Sequence, residues 1–209
     1  MKKGEARDAI LEELEKLLGP MGFRVKRKSA ELIRKTPGGR QRIVFTLHDF
    51  NPVFAFSLLP SIQFDEMDEL YFNAIAQERP EGPYWDIGIS RSYLFEGVPE
   101  KFKVESVEQI ERAISELRPS ILGRMIPFFQ QWESLAAFES IINSGTDRCT
   151  TLHAPSNAFV YIMASYLANR ERLDEMLSKW VPLPDIGVVD ESDREHMRRL
   201  VAFVHASRG

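Results

Sequence analysis

Residues 23–59 read FRVKRKSAELIRKTPGGRQRIVFTLHDFNPVFAFSLL, and their apolar positions repeat with a period of two. Phe23 and Val25 alternate with Arg24, Lys26 and Lys28, the pattern of a strand with one buried face. A second strand from about Ala30 to Thr36 runs into Pro37-Gly38-Gly39, where two adjacent glycines are expected to supply the positive φ angles of a tight hairpin. On the return strand Ile43, Phe45 and Leu47 alternate with Arg42, Val44 and Thr46. Asn51-Pro52 then turns the chain into Val53 to Leu59, which is apolar on both faces and so is expected to be the most buried strand of an antiparallel sheet.

The flanking segments change period. Ala6, Ile10, Leu14, Leu17 and Leu18 recur at helical spacing until Gly19-Pro20 stops them. Asp65 to Gln77 reads as a helix with acids in its first turn, and Trp85, Ile87 and Ile89 alternate with Tyr84, Asp86 and Ser90 as one further strand. That gives about five strands in the first 95 residues. From Ser106 the period is helical. Ser106 with Gln109 forms one capping-box pattern, Ser192 with Glu195 a second, and Pro119 and Pro127 are expected to break or kink the helices between. Strands followed by helices define an α+β class: an antiparallel sheet of about five strands with flanking helices, then a helical second half. The shift in period near residue 103 divides the chain into a sheet domain, 1–103, and a helical region, 104–209, packed on it or continuous with it.

Composition narrows the functional classes. A formal charge of −4 and a pI near 5.7 give no global attraction to nucleic acid or to anionic membrane. No apolar run approaches the ~20 residues that a bilayer span needs, and no apolar segment follows the amino-terminal lysines, so neither a membrane anchor nor a secretory leader is expected. With Cys149 its only cysteine, the chain forms no internal disulfide, and a reducing cytoplasm is the expected setting.

The order of amino-terminal helix, Leu17-Leu18-Gly19-Pro20-Met21-Gly22-Phe23, basic strand, glycine hairpin and buried strand resembles a family of uncharacterised bacterial domains of unknown function over about the first 95 residues. The resemblance implies a bacterial cytoplasmic protein with no assigned reaction, and it transfers no functional residue.

The signatures of common chemistries are missing from the sequence. There is no GxGxxG and no Gly-Lys pair to cradle phosphates, and no lysine is preceded two positions earlier by an acid. Gly88-Ile89-Ser90-Arg91-Ser92 lacks the closing glycine of a nucleophile elbow. His48 beside Asp49 ends a strand, and His196 and His205, nine residues apart on a helix, face opposite ways. Cys149 and His153, in the polar loop 143–155 with Asp147 and Asn157 near them, are the one pair suited to thiolate chemistry. No cofactor and no metal are expected.

What remains is electrostatic. Eight basic residues fall between Arg24 and Arg42, against the single acid Glu31. If the pleat is as read, Arg24, Lys26, Lys28 and Arg42 share an outward face, unless the acidic stretch 65–81 neutralises it. The leading expectation is a non-enzymatic protein-interaction module, with an acidic protein as its partner. An enzyme using Cys149 and His153, or His48, is the second reading, and a weak, nonspecific nucleic-acid binder the third.

Overall fold

The computed structural model describes residues 1–78, 86–143, 150–151, 156–181 and 190–207. Helix α1 (Lys3–Leu18) buries Ala6, Ile10, Leu14 and Leu18 as expected and Leu11 in addition, while Leu17 is half-buried. A 3₁₀ turn, Gly19–Met21, ends it, and Gly22 takes a left-handed φ of 88° that delivers Phe23 to the core. Strands β1 (Arg24–Lys26), β2 (Glu31–Thr36), β3 (Gly39–Asp49) and β4 (Phe54–Phe64) follow, each antiparallel to the one before. Helix α2 (Asp65–Ile75), strand β5 (Ile87–Ile89), the short helix α3 (Arg91–Leu94) and strand β6 (Phe102–Val104) complete the first half.

The second half is helical: α4 (Val107–Ser120), a π-helical turn over Ile121–Met125, α5 (Ile126–Gln131), α6 (Leu135–Asn143), then, after the two-residue strand β7 (Thr150–Thr151), α7 (Ser156–Ala168), α8 (Leu173–Trp180) and α9 (Glu191–Ala206). The fold is α+β, with the sheet order β1-β2-β3-β4-β5-β7 and β6 paired to the other end of β4. Strands β6 and β7 were not expected. At three and two residues they are too short for an alternating pattern to register.

Register assigns the two faces of the sheet. Val25, Leu32, Ile43, Leu58 and Ile62 point one way, under the helices, and Leu32, Ile43, Leu58 and Ile62 are buried. Gln41 also lies on this side and ties the sheet to the helical half, donating through Nε2 to the Phe129 carbonyl at 2.7 Å. The buried apolar side chains of both halves form one cluster.

Three local expectations are corrected. The hairpin turns at Pro37-Gly38, with Thr36 paired to Gly39, but neither glycine has a left-handed φ. Gly39 is required for another reason: a Cβ there would lie 1.9 Å from the Gln63 carbonyl oxygen on β4. Pro119 does not end its helix. It lies in the last turn of α4, and the chain absorbs the missing amide donor by widening into the π-helical turn beyond it, leaving Pro127 at the start of α5. The cap of α9 is Asp190 with Asp193, one turn-start earlier than Ser192 with Glu195; a carboxylate accepts the first amides as a hydroxyl would, and carries a charge suited to the helix dipole.

Candidate binding surface

The sheet face turned away from the helices is built in rows. One row runs Arg24, Ile33, Arg42, Ser61 and Gly88 across five strands, and the next runs Lys26, Glu31, Val44 and Leu59. A third holds Lys35, Arg40 and Gln63. Ile33, Val44 and Leu59 are half-buried, in contrast to their neighbours on the helix side. A groove of about 830 Å³ runs along this face between Val44, Leu59 and Pro60 on β3 and β4, Asp86 and Ser90 at the ends of β5, and Leu94 of α3.

The polar centre of the groove is a carboxylate held by two strands, β3 and β4. Asp86 Oδ1 accepts from Ser61 Oγ at 2.7 Å and from Gln63 Nε2 at 2.6 Å, while its Oδ2 accepts from Arg42 at 2.8 Å. Arg42 Nε donates in turn to Glu31 Oε2 at 2.9 Å. Burial would push the Glu31 carboxyl up, but hydrogen bonds from Ser29 and Arg42 and the charges of Arg42 and Lys26 outweigh it, holding the group below the ordinary carboxylate range. Arg124 of the π-helical turn braces the far wall, donating to the Glu96 carbonyl at 2.6 Å and pairing with the Glu96 carboxylate at 3.0 Å.

The four cations expected on one face are placed differently. Arg24 and Arg42 do share a row, and Lys26 lies in the adjacent one on the same side. Arg42, however, is turned inward and engaged by Glu31 and Asp86, so it organises the surface and is not a free charge on it. Lys28 is not on a strand; it sits in the 27–30 turn joining β1 to β2. Arg24, Lys26, Lys28 and also Lys35 are exposed and form no ion pair among the described residues. Among the described residues the acidic helix meets the basic stretch where Asp65 pairs with Arg40 at 3.0 Å. Asp86 and Ser61 were not singled out in the sequence, although Glu31 as the lone acid of a basic strand was the available signal for an internal pair.

His48 is exposed near the end of β3, its ring 6.3 Å from that of Phe50, and it lines none of the described grooves. Cys149 and His153 lie outside the described residues. His196 accepts or donates at Nδ1 with the Tyr71 hydroxyl at 2.9 Å, locking α9 to α2, a structural use. Among the described residues no group of three or more His, Cys, Asp or Glu is placed to hold a metal ion, and no helix is long and apolar enough to cross a membrane. Comparison of the chain with family models, with curated proteins and with solved structures finds no match.

Proposed function

We propose that this protein is an interaction module without chemistry of its own, which receives an acidic segment of a partner protein on the outer face and basic edge of its sheet. The observation that carries the reading is the combination of half-buried Ile33, Val44 and Leu59 with the exposed cations Arg24, Lys26, Lys28 and Lys35 around them, which form no ion pair among the described residues. A solvated sheet face has no need of an apolar strip, and a purely structural one would pair its charges. The groove beside the strip is consistent with the same reading: its carboxylate, Asp86, is engaged by Ser61, Gln63 and Arg42, and Arg42 is held in turn by Glu31. The single cysteine and the resemblance to bacterial domains support a cytoplasmic setting.

The test is a titration with fluorescent peptides of matched length, one glutamate-rich and one lysine-rich. The acidic peptide should bind and the basic one should not. Reversal of Arg24 and Lys28 to glutamate should abolish the difference. Equal binding of the two peptides to the native protein overturns the proposal, and tighter binding of a single-stranded oligonucleotide than of the acidic peptide would favour nucleic acid instead.

A further inference from the structure

The two long strands of the sheet are unequally covered. Strand β4 pairs with β3 along all of Gly39–Asp49, whereas β2 reaches only as far as the Glu31 to Val44 pair, beyond which its chain leaves through the 27–30 turn. Backbone N–H and C=O groups alternate between the two edges of a strand, and their sides are fixed here by two hydrogen bonds. Phe50 N donates to the Val53 carbonyl and Asp65 N to the Gly38 carbonyl, so the even-numbered residues of β3 turn toward β4. The odd-numbered ones therefore turn the other way. Gly39, Gln41 and Ile43 meet β2, but Phe45, Leu47 and Asp49 meet no strand among the described residues.

Among the described residues this edge is left open, and apart from the exposed Asp49 at its end it lacks the features that protect edges elsewhere in the sheet. Strand β1 is three residues long and carries Arg24 and Lys26, and the gap on β4 between β5 and β6 contains Pro60. Residues 45–49, Phe-Thr-Leu-His-Asp, have no proline, no lysine and no bulge in their register with β4. Leu47 beside the edge is half-buried, and Phe50 just past it is 65% exposed.

From this we infer that the partner's acidic segment binds as an added strand along residues 45–49 of β3, in line with β2. The inference rests on the proposed interaction function and specifies its geometry. Charge selects the occupant: an added strand abuts the 27–30 turn, where exposed Lys28 would meet its end, beside Arg27, which is paired with Glu15 at 3.7 Å. A second copy of the chain is a poor occupant, because β2 blocks the edge before residue 45 and a five-residue self-pairing falls well short of the roughly 1,000 Å² of a stable interface. The pleat sets the motif. Residues opposite Phe45 and Leu47 lie on the helix side, against half-exposed Leu47, and should be apolar; those opposite Thr46 and His48 lie on the outer side and should be acidic.

The experiment uses a seven-residue peptide alternating valine and glutamate, and two N-methylated forms of it, titrated against the full chain. Valines opposite the odd-numbered residues direct their N–H groups at β3, so methylating the valine nitrogens should weaken binding by about tenfold or more, whereas methylating the glutamate nitrogens, which point away, should change it by less than about threefold. The amides of Phe45, Leu47 and Asp49 should exchange with solvent in the free protein and become protected in the complex. Equal binding of all three peptides, or a complex in which those amides stay unprotected, overturns strand addition while leaving charge recognition intact. Failure of all three to bind at low salt overturns both.

Discussion

Arg42 on β3 and Glu31 on β2 are diagonal neighbours that form a guanidinium–carboxylate pair at 2.9 Å, with side chains only 17% and 8% exposed. Removing Arg42 leaves the Glu31 carboxylate desolvated without its guanidinium, whereas removing the Glu31 charge leaves Arg42 its second partner, Asp86. Arg42→Met should therefore lower stability by roughly 2–4 kcal/mol, more than Glu31→Gln, which keeps a hydrogen-bond acceptor and adds no charge. Urea unfolding of the two variants checks the order; a larger loss for Glu31→Gln would show that Asp86 alone does not suffice to satisfy Arg42.

Acid should reach the same pair. Because the folded Glu31 pKa lies below its ordinary value of 4.5, its contribution is fully present above that value and is lost as pH falls through the depressed folded one. Stability of the native protein should thus fall more steeply below about pH 4.5 than that of Glu31→Gln, and the two curves should converge at lower pH. Parallel curves from pH 6 to 3 would mean that Glu31 is not held ionised.

Gly39→Ala should be among the most damaging single-methyl changes in the molecule. Its Cβ would fall 1.9 Å from the Gln63 carbonyl, a backbone atom fixed in the centre of the sheet. A loss of about 3 kcal/mol or more is expected, with Gly38→Ala, whose Cβ meets nothing within 4 Å, costing far less. Thermal melts of the pair give the comparison, and similar melting temperatures would contradict the close approach.

Glu139 joins the helices as Arg42 joins the strands. It is buried on α6 and accepts from Asn143 at 2.9 Å and from Ser165 and Asn169 at 3.3 Å, with Arg172 3.9 Å away. Glu139→Ala orphans several donors at once and should cost roughly 2–4 kcal/mol, and Glu139→Gln about half of that. Amide exchange should quicken first in α6 and α7; exchange that quickens uniformly would indicate that the helices are held by packing alone.

Charge on the outer edge should matter for binding and hardly at all for folding. The double reversal of Arg24 and Lys28 to glutamate breaks no ion pair among the described residues, so the melting temperature should shift by no more than about 1 kcal/mol of stability allows. Affinity for an acidic peptide should fall, and native affinity should weaken as salt is raised through the range where screening acts over about 8–10 Å. A large drop in stability would mean that these cations serve the fold.

The sequence determined the secondary structure wherever a long apolar pattern repeats. Residues 23–59 alternate because each strand buries one face, and the strands, the hairpin at Pro37 and the helices α1, α2 and α4 appear where those periods place them. It also marked Glu31 as the odd charge in a basic stretch. What it could not supply is anything that depends on lateral placement between strands. Arg24 and Arg42 look equivalent in a pattern of period two, yet one lies at the sheet edge and the other between Glu31 and Asp86, a carboxylate 44 positions further on. The same holds for Gly39, needed for the approach of β4 and not for its own φ, and for the free edge of β3, which exists only because β2 is five residues shorter than the strand it pairs with. A repeat along the chain encodes which face a side chain takes; which charge meets which, and which backbone groups are left over, is decided when distant strands come side by side.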